Sequence, residues 1–159
     1  MSKSKEVPFG FDDAVERVNL DEGEYEFYVG KSTKAYVSRS GNPTVEVHGY
    51  PIDRDDVWPI KMWLPLAGKS AGMTKRFLKH LGFDPHEFVD NLLAMYDGGS
   101  DAKDVAAFWH AAAVPQIVGR HFGGRIIIKE QVDKDSGEVR VDKDGNPYLN
   151  SSFKSTWEL

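Results

Sequence analysis

The chain has 159 residues, of which 40% are hydrophobic and 12% aromatic, enough for one domain with a real core. It has no cysteine, which excludes disulfides and thiolate metal sites and fits a reducing compartment. The net charge of −5 argues against a uniformly basic nucleic-acid binder.

The charge is not spread evenly. Residues 11–30 hold seven acids and one base, residues 31–80 nine bases and four acids, and residues 81–119 six acids and one base. Exposed charges act over roughly 8 Å at physiological salt, so the local positive block matters more than the total. No apolar run reaches the length of a membrane span, and Met-Ser-Lys-Ser-Lys at the start is followed by no apolar h-region. The expected location is therefore the cytoplasm.

Residues 1–8 read as a disordered tail, and Phe9 to Val18 as a short helix capped by Asp12. Asn19 to Gly23 forms a turn into Glu24 to Val37, where Tyr25, Phe27 and Val29 alternate with Tyr28, and Lys34 and Tyr36 continue the outer face. This long strand can bend, and Gly30 is a candidate bulge. Ser38 to Pro43 is turn chemistry. Thr44 to Tyr50 is expected to bury Val45 and Val47 and to turn His48 and Tyr50 outward. Val57 to Leu66 is expected to bury Ile60, Met62, Leu64 and Leu66, with Lys61 and Trp63 opposite.

A helical middle third follows. The first helix carries Met73, Phe77 and Leu81 inward and Lys75, Arg76 and Lys79 outward, and ends at Gly82. The second starts at Asp84-Pro85 and packs through Phe88, Leu92 and Met95. The third, capped by Ser100 or Asp101, carries Val105, Phe108, Trp109 and Ala112 and stops near Pro115. Gly123-Gly124 then introduces a strand, Arg125 to Val132. Glu138 to Val141 lies between two turn signals as a polar, hairpin-like excursion. The last strand, Tyr148 to Trp157, buries Leu149, Phe153 and Trp157 by parity and exposes Tyr148, Asn150 and Lys154.

Three strands, helices and two strands is the element order of a mainly β, five-stranded OB-fold Greek-key barrel with helices between strands three and four. The chain resembles the small phage-encoded OB-fold single-stranded DNA-binding proteins. The resemblance rests on Leu20 to Tyr25, Ser40-Gly41-Asn42, Gly124 to Lys129 and Asp144 to Tyr148, and extends over residues 19–157. It implies a single OB domain over residues 9–159, with a helical insert at about 70–120 that is long for a minimal OB-fold. It also implies a non-catalytic, sequence-tolerant role with single-stranded DNA in phage or bacterial replication or recombination, in the host cytoplasm. Recombinase or replication proteins, or a second copy of the chain, are further candidate partners; no membrane and no cofactor is expected. The segment Thr156 to Leu159 lacks the acidic tail by which several such proteins recruit partners.

In OB-folds the second and third strands and two loops form the binding groove. Carried onto this chain, the candidates are Lys34, Tyr36, Arg39, His48, Tyr50, Arg54, Lys61 and Trp63, with Lys134, Arg140 and Lys143 from the late excursion. Cations follow phosphates, and aromatic rings stack on bases. The alternative for Trp63, Tyr36 and Tyr50 is burial in the barrel or against the insert. Lys75, Arg76 and Lys79 either extend the track or form a solvated helix face. An OB-type barrel that binds a protein partner is the competing function.

Enzyme signals are weak. The five histidines lack metal-ligand spacing, and Gly68-Lys69-Ser70 lacks the earlier glycine of a phosphate loop because position 63 is Trp.

Overall fold

The computed structural model describes residues 16–159. The expected tail and all but the end of the first expected helix lie outside that range. Val18, at that end, is extended and bridges Val57 instead of closing a helix.

Six strands form one antiparallel sheet: β1 (Gly23–Val29), β2 (Lys34–Val37), β3 (Pro43–Pro51), β4 (Ile60–Pro65), β5 (His121–Glu130) and β6 (Leu149–Trp157). β1 and β2 are two halves of one bent strand, since both pair with β3. The bend is at Gly30 to Thr33. Gly30 N–H still donates to the His48 carbonyl at 2.8 Å, and the buried Thr33 hydroxyl accepts from His48 N–H at 3.1 Å in place of a ladder bond. A Cβ on Gly30 would stand 2.1 Å from the Tyr50 ring, so only glycine lets that ring lie flat on the bend.

β1 then pairs with β5, and β5 with β6, while β4 pairs with β3. With the bent strand counted once, this is the five-strand OB path, with the helices between the third and fourth strands. The circle is not closed by hydrogen bonds. β4 and β6 approach without a ladder, and α1 (Gly72–His80) straddles their seam. The Thr74 hydroxyl donates to the Pro65 carbonyl at the end of β4, and His80 Nδ1 meets the Thr156 hydroxyl on β6 at 2.8 Å.

The interior is aromatic. Phe27 stacks on Phe122 with centroids 5.4 Å apart, Phe153 meets Phe27 edge-on at 5.0 Å, and Phe77 of α1 closes the floor against Phe122 at 5.0 Å. Phe27 and Phe122 have no exposed surface, and Val29, Val45, Val47, Ile60 and Leu64 complete the wall. Such pairs add about 0.5–1.5 kcal/mol each beyond the area they bury.

The rest of the insert is α2 (Pro85–Met95), α3 (Ala102–Phe108), a π-helical turn (Trp109–Ala113) and α4 (Val114–Ile117). Asp84 caps α2, its Oδ1 accepting from the backbone of His86 and Glu87. Helix α3 packs along the edge strand β2, where Ala35 N–H donates to His110 Nδ1 at 3.2 Å. An edge that would otherwise invite pairing is thereby covered.

Several expectations are corrected. Met73 is 52% exposed; α1 buries Thr74, Phe77 and Leu78, followed by Leu81 at its C-cap, a stripe turned by the Thr74 hydrogen bond to β4. Met95 is exposed at the frayed end of α2. The third helix runs past Pro115. Pro115 has no N–H to offer its preceding turn, and the helix widens there, Val114 N–H reaching back five residues to the Trp109 carbonyl.

Gly123-Gly124 lies inside β5 and does not precede it. A Cβ on Gly123 would meet the Trp157 ring at 2.1 Å, and one on Gly124 the Phe153 ring at 2.7 Å, so these glycines are seats for β6 rings. Leu149 is exposed because it pairs with Glu130 at the solvent end of the ladder. Lys154 sits in a register shift opposite Arg125 and Ile126. The excursion between β5 and β6 makes only two isolated bridges, Val132 to Val139 and Val141 to Pro147. Val57 bridges Val18 ahead of β4, which begins at Ile60 after Pro59.

Candidate nucleic-acid interface

On the outer face of β3 and β4 lies a groove of about 880 Å³, closed on the other side by the base of the β5–β6 excursion. Strand alternation puts Glu46, His48 and Tyr50 of β3 on this face, and Lys61 and Trp63 of β4 beside them, with Glu46 opposite Trp63 and His48 opposite Lys61 across the ladder. Tyr148, Leu149, Asn150 and Gln131 form the far bank.

The wall is organised by one carboxylate. Glu46 is only 7% exposed, and its Oε1 accepts from the Tyr36 hydroxyl at 2.9 Å and from Trp63 Nε1 at 3.2 Å. Its Oε2 meets His48 Nε2 at 2.5 Å, and Lys61 Nζ stands 4.0 Å away. Burial alone would push this carboxyl up. The hydrogen bonds from His48 and Tyr36 and the nearby Lys34 charge outweigh it and hold it below the usual value of 4.5. The same contact works the other way on Tyr36, whose hydroxyl is raised by burial and then by Glu46.

An ionised Glu46 accepts from His48 Nε2, and Nδ1 of the same ring lies 2.6 Å from the Ser32 hydroxyl. Ser32 also lies 3.2 Å from the Tyr50 hydroxyl. This run of hydrogen bonds fixes the orientations of the His48 and Tyr50 side chains and holds the Ser32 hydroxyl at the groove surface.

Aromatic rings and cations border the groove in pairs. Trp63 is 54% and Trp58 55% exposed, with the Arg17 guanidinium over Trp58 at 5.5 Å from the ring centre. Tyr50 stacks on Tyr28 at 5.5 Å with planes 18° apart. On the far bank Arg140 sits over Tyr148 at 5.9 Å, and on the near edge Lys34 over Tyr36 at 5.3 Å. Burial against the insert, the competing placement for Trp63, does not occur.

The structure thus gathers Tyr36, His48, Tyr50, Lys61 and Trp63 into one wall, with Lys34 at its edge and Arg140 across the groove. Arg39, Lys134 and Lys143 are exposed on turns outside the groove lining. Arg54 also stays outside, in a two-pronged ion pair with Asp56 at 2.9 Å for each bond. Sequence reasoning missed Glu46, Trp58, Arg17 and Ser32. Glu46 shares the parity of His48 and Tyr50, which was a usable signal. Trp58 and Ser32 lie off the ladder, where alternation says nothing.

Among the described residues there is no cluster of three or more histidine, aspartate or glutamate side chains able to hold a metal ion. No described helix is long and apolar enough to cross a membrane. No protein-family model matches the chain. No curated protein matches it by sequence. The solved structure of yeast RPA bound to ssDNA aligns with TM-score 0.38 and 9% identity, covering 96% of this chain and 83% of that one. That likeness is too slight to carry an argument, and the OB path stands on the strand pairing alone.

Proposed function

We propose that the chain is a non-catalytic single-stranded DNA-binding protein, one domain over residues 9–159, that holds its ligand by base stacking and phosphate neutralisation with little sequence preference. The observation that carries this reading is the groove on β3 and β4, where the exposed rings of Trp58, Trp63 and Tyr148 and the half-buried ring of Tyr50 alternate with Arg17, Lys61 and Arg140. Every base has a π-face, so a row of rings binds without reading sequence, at about 1–3 kcal/mol per stacked base. A duplex offers phosphates but no free base faces, so it gives these rings nothing to stack on. Protection of exposed strands during replication or recombination of phage or bacterial DNA, in the host cytoplasm, is the role this chemistry suits.

The test is titration of wild type and Trp63→Ala with an oligo-dT strand, followed by tryptophan fluorescence. Wild type should be quenched and the variant should bind weakly; equal affinity of the two, or no binding at low salt, overturns the reading.

A second reading, a barrel that binds a protein partner, is favoured by Leu93 and Met95, which are 62% and 58% exposed on α2. It predicts that Trp63→Ala leaves the protein folded and its partner binding intact, with no DNA affinity in either form.

A further inference from the structure

The groove does not end at Trp63. Lys61, Trp63 and Ser152 line it and also line a second hollow of about 440 Å³, which lies over the open seam between β4 and β6. β4 pairs only with β3, and β6 only with β5, so the edges that face each other across the seam carry no ladder. The exposed Met73 and the cations Arg76 of α1 and Lys154 of β6 border this hollow, and no carboxylate is among the described residues that line it. Arg76 in turn borders a shallower hollow with Lys75 and Lys79 along the outer face of α1.

We propose that the single strand in the groove continues past Trp63, across the β4–β6 seam, and lays its phosphates on Lys154 and Arg76, so that the helical insert forms part of the DNA track. The inference rests on the single-strand reading above and extends its footprint. Two observations support it. The seam hollow is continuous with the groove through shared residues, and its border is cationic and free of carboxylates, complementary to a phosphate backbone. Met73 adds apolar surface where a sugar or base edge would pass. The exposed cations of α1 thereby acquire a ligand.

The test uses the double variant Arg76→Ala, Lys154→Ala and two oligo-dT probes, about 8 and about 24 nucleotides long, chosen to fill the groove alone or to overrun it. Both side chains are exposed, so the fold should be unchanged by circular dichroism; Lys103→Ala, on α3, is the control. For the longer probe the variant should lose affinity about tenfold, and the slope of log K against log salt should flatten by about 1.4, two phosphates' worth. The shorter probe should bind wild type and variant alike. Loss on both probes, or on neither, overturns the extended track while leaving the groove reading intact. Failure of wild type to bind either probe removes the groove reading and the track together.

Discussion

Two hollows on the barrel surface are each bordered by tryptophan and have little else in common. The β3–β4 groove is bordered by Trp58 and Trp63 with Arg17 and Lys61, and Glu46, the carboxylate behind that wall, is buried and held by Tyr36, His48 and Trp63. The other hollow, about 560 Å³, lies beside Trp157 and is bordered by Glu24, Glu26 and Asp53, with the partly exposed pair of Glu24 and Arg125 at 3.8 Å nearby. A surplus of acids in the whole chain therefore coexists with a face fit for an anion. Net charge says little about a site when the charges are sorted by strand face, and a low-dielectric wall with its carboxylate internally compensated is not repulsive to phosphate.

The comparison can be broken most forcibly at Trp63. Trp63→Ala should reduce single-stranded DNA affinity by about 1–3 kcal/mol, read by fluorescence anisotropy of a labelled strand, with the thermal transition little moved because the ring is half exposed. Next is the hub. Glu46→Ala strands the buried His48 and half-buried Tyr36 partners and should cost about 1–3 kcal/mol of stability, read by urea unfolding. It should also loosen the Trp63 ring, visible as a red shift and greater quencher access.

The pH dependence of that hub has a definite sign. Glu46 titrates lower when folded than when unfolded, so its contribution to stability is complete above the usual glutamate value. It is lost as pH falls through the lower folded value. Unfolding midpoints of wild type and Glu46→Gln should therefore converge in acid and separate toward neutrality; a constant gap down to strong acid would contradict the hub. A smaller effect is expected from Lys61→Ala, which should flatten the salt slope by about 0.7. The smallest comes from the acidic hollow: Glu24→Gln with Glu26→Gln should leave single-strand affinity unchanged at physiological salt, since both residues line that hollow and neither lines the groove, and salt screens exposed charges.

Strand order and most of the barrel wall were legible, because alternation of period two sets which of Val45, Val47, Ile60 and Leu64 point inward and which of Tyr50, Lys61 and Trp63 point out. Features that depend on long-range packing were not. The Gly123-Gly124 pair reads locally as the lead-in to a strand, and only Phe153 and Trp157, some thirty residues on, show why it lies inside one. Met73 has helical spacing to Phe77, yet the Thr74 bond to Pro65 rotates the buried stripe away from it. The hub on Glu46 needs three partners from β1–β2, β3 and β4, which no single stretch displays. Arg54 looked like a phosphate contact by its loop, but Asp56, two residues on, claims both sides of its guanidinium.

The most direct test of the central claim is a titration of the wild-type chain with single-stranded and duplex oligonucleotides of equal length at low and physiological salt. Stacking in the β3–β4 groove predicts strong tryptophan quenching and a clear preference for the single strand at both salts, with affinity falling as salt rises. Equal affinity for duplex, or binding without quenching, would contradict it.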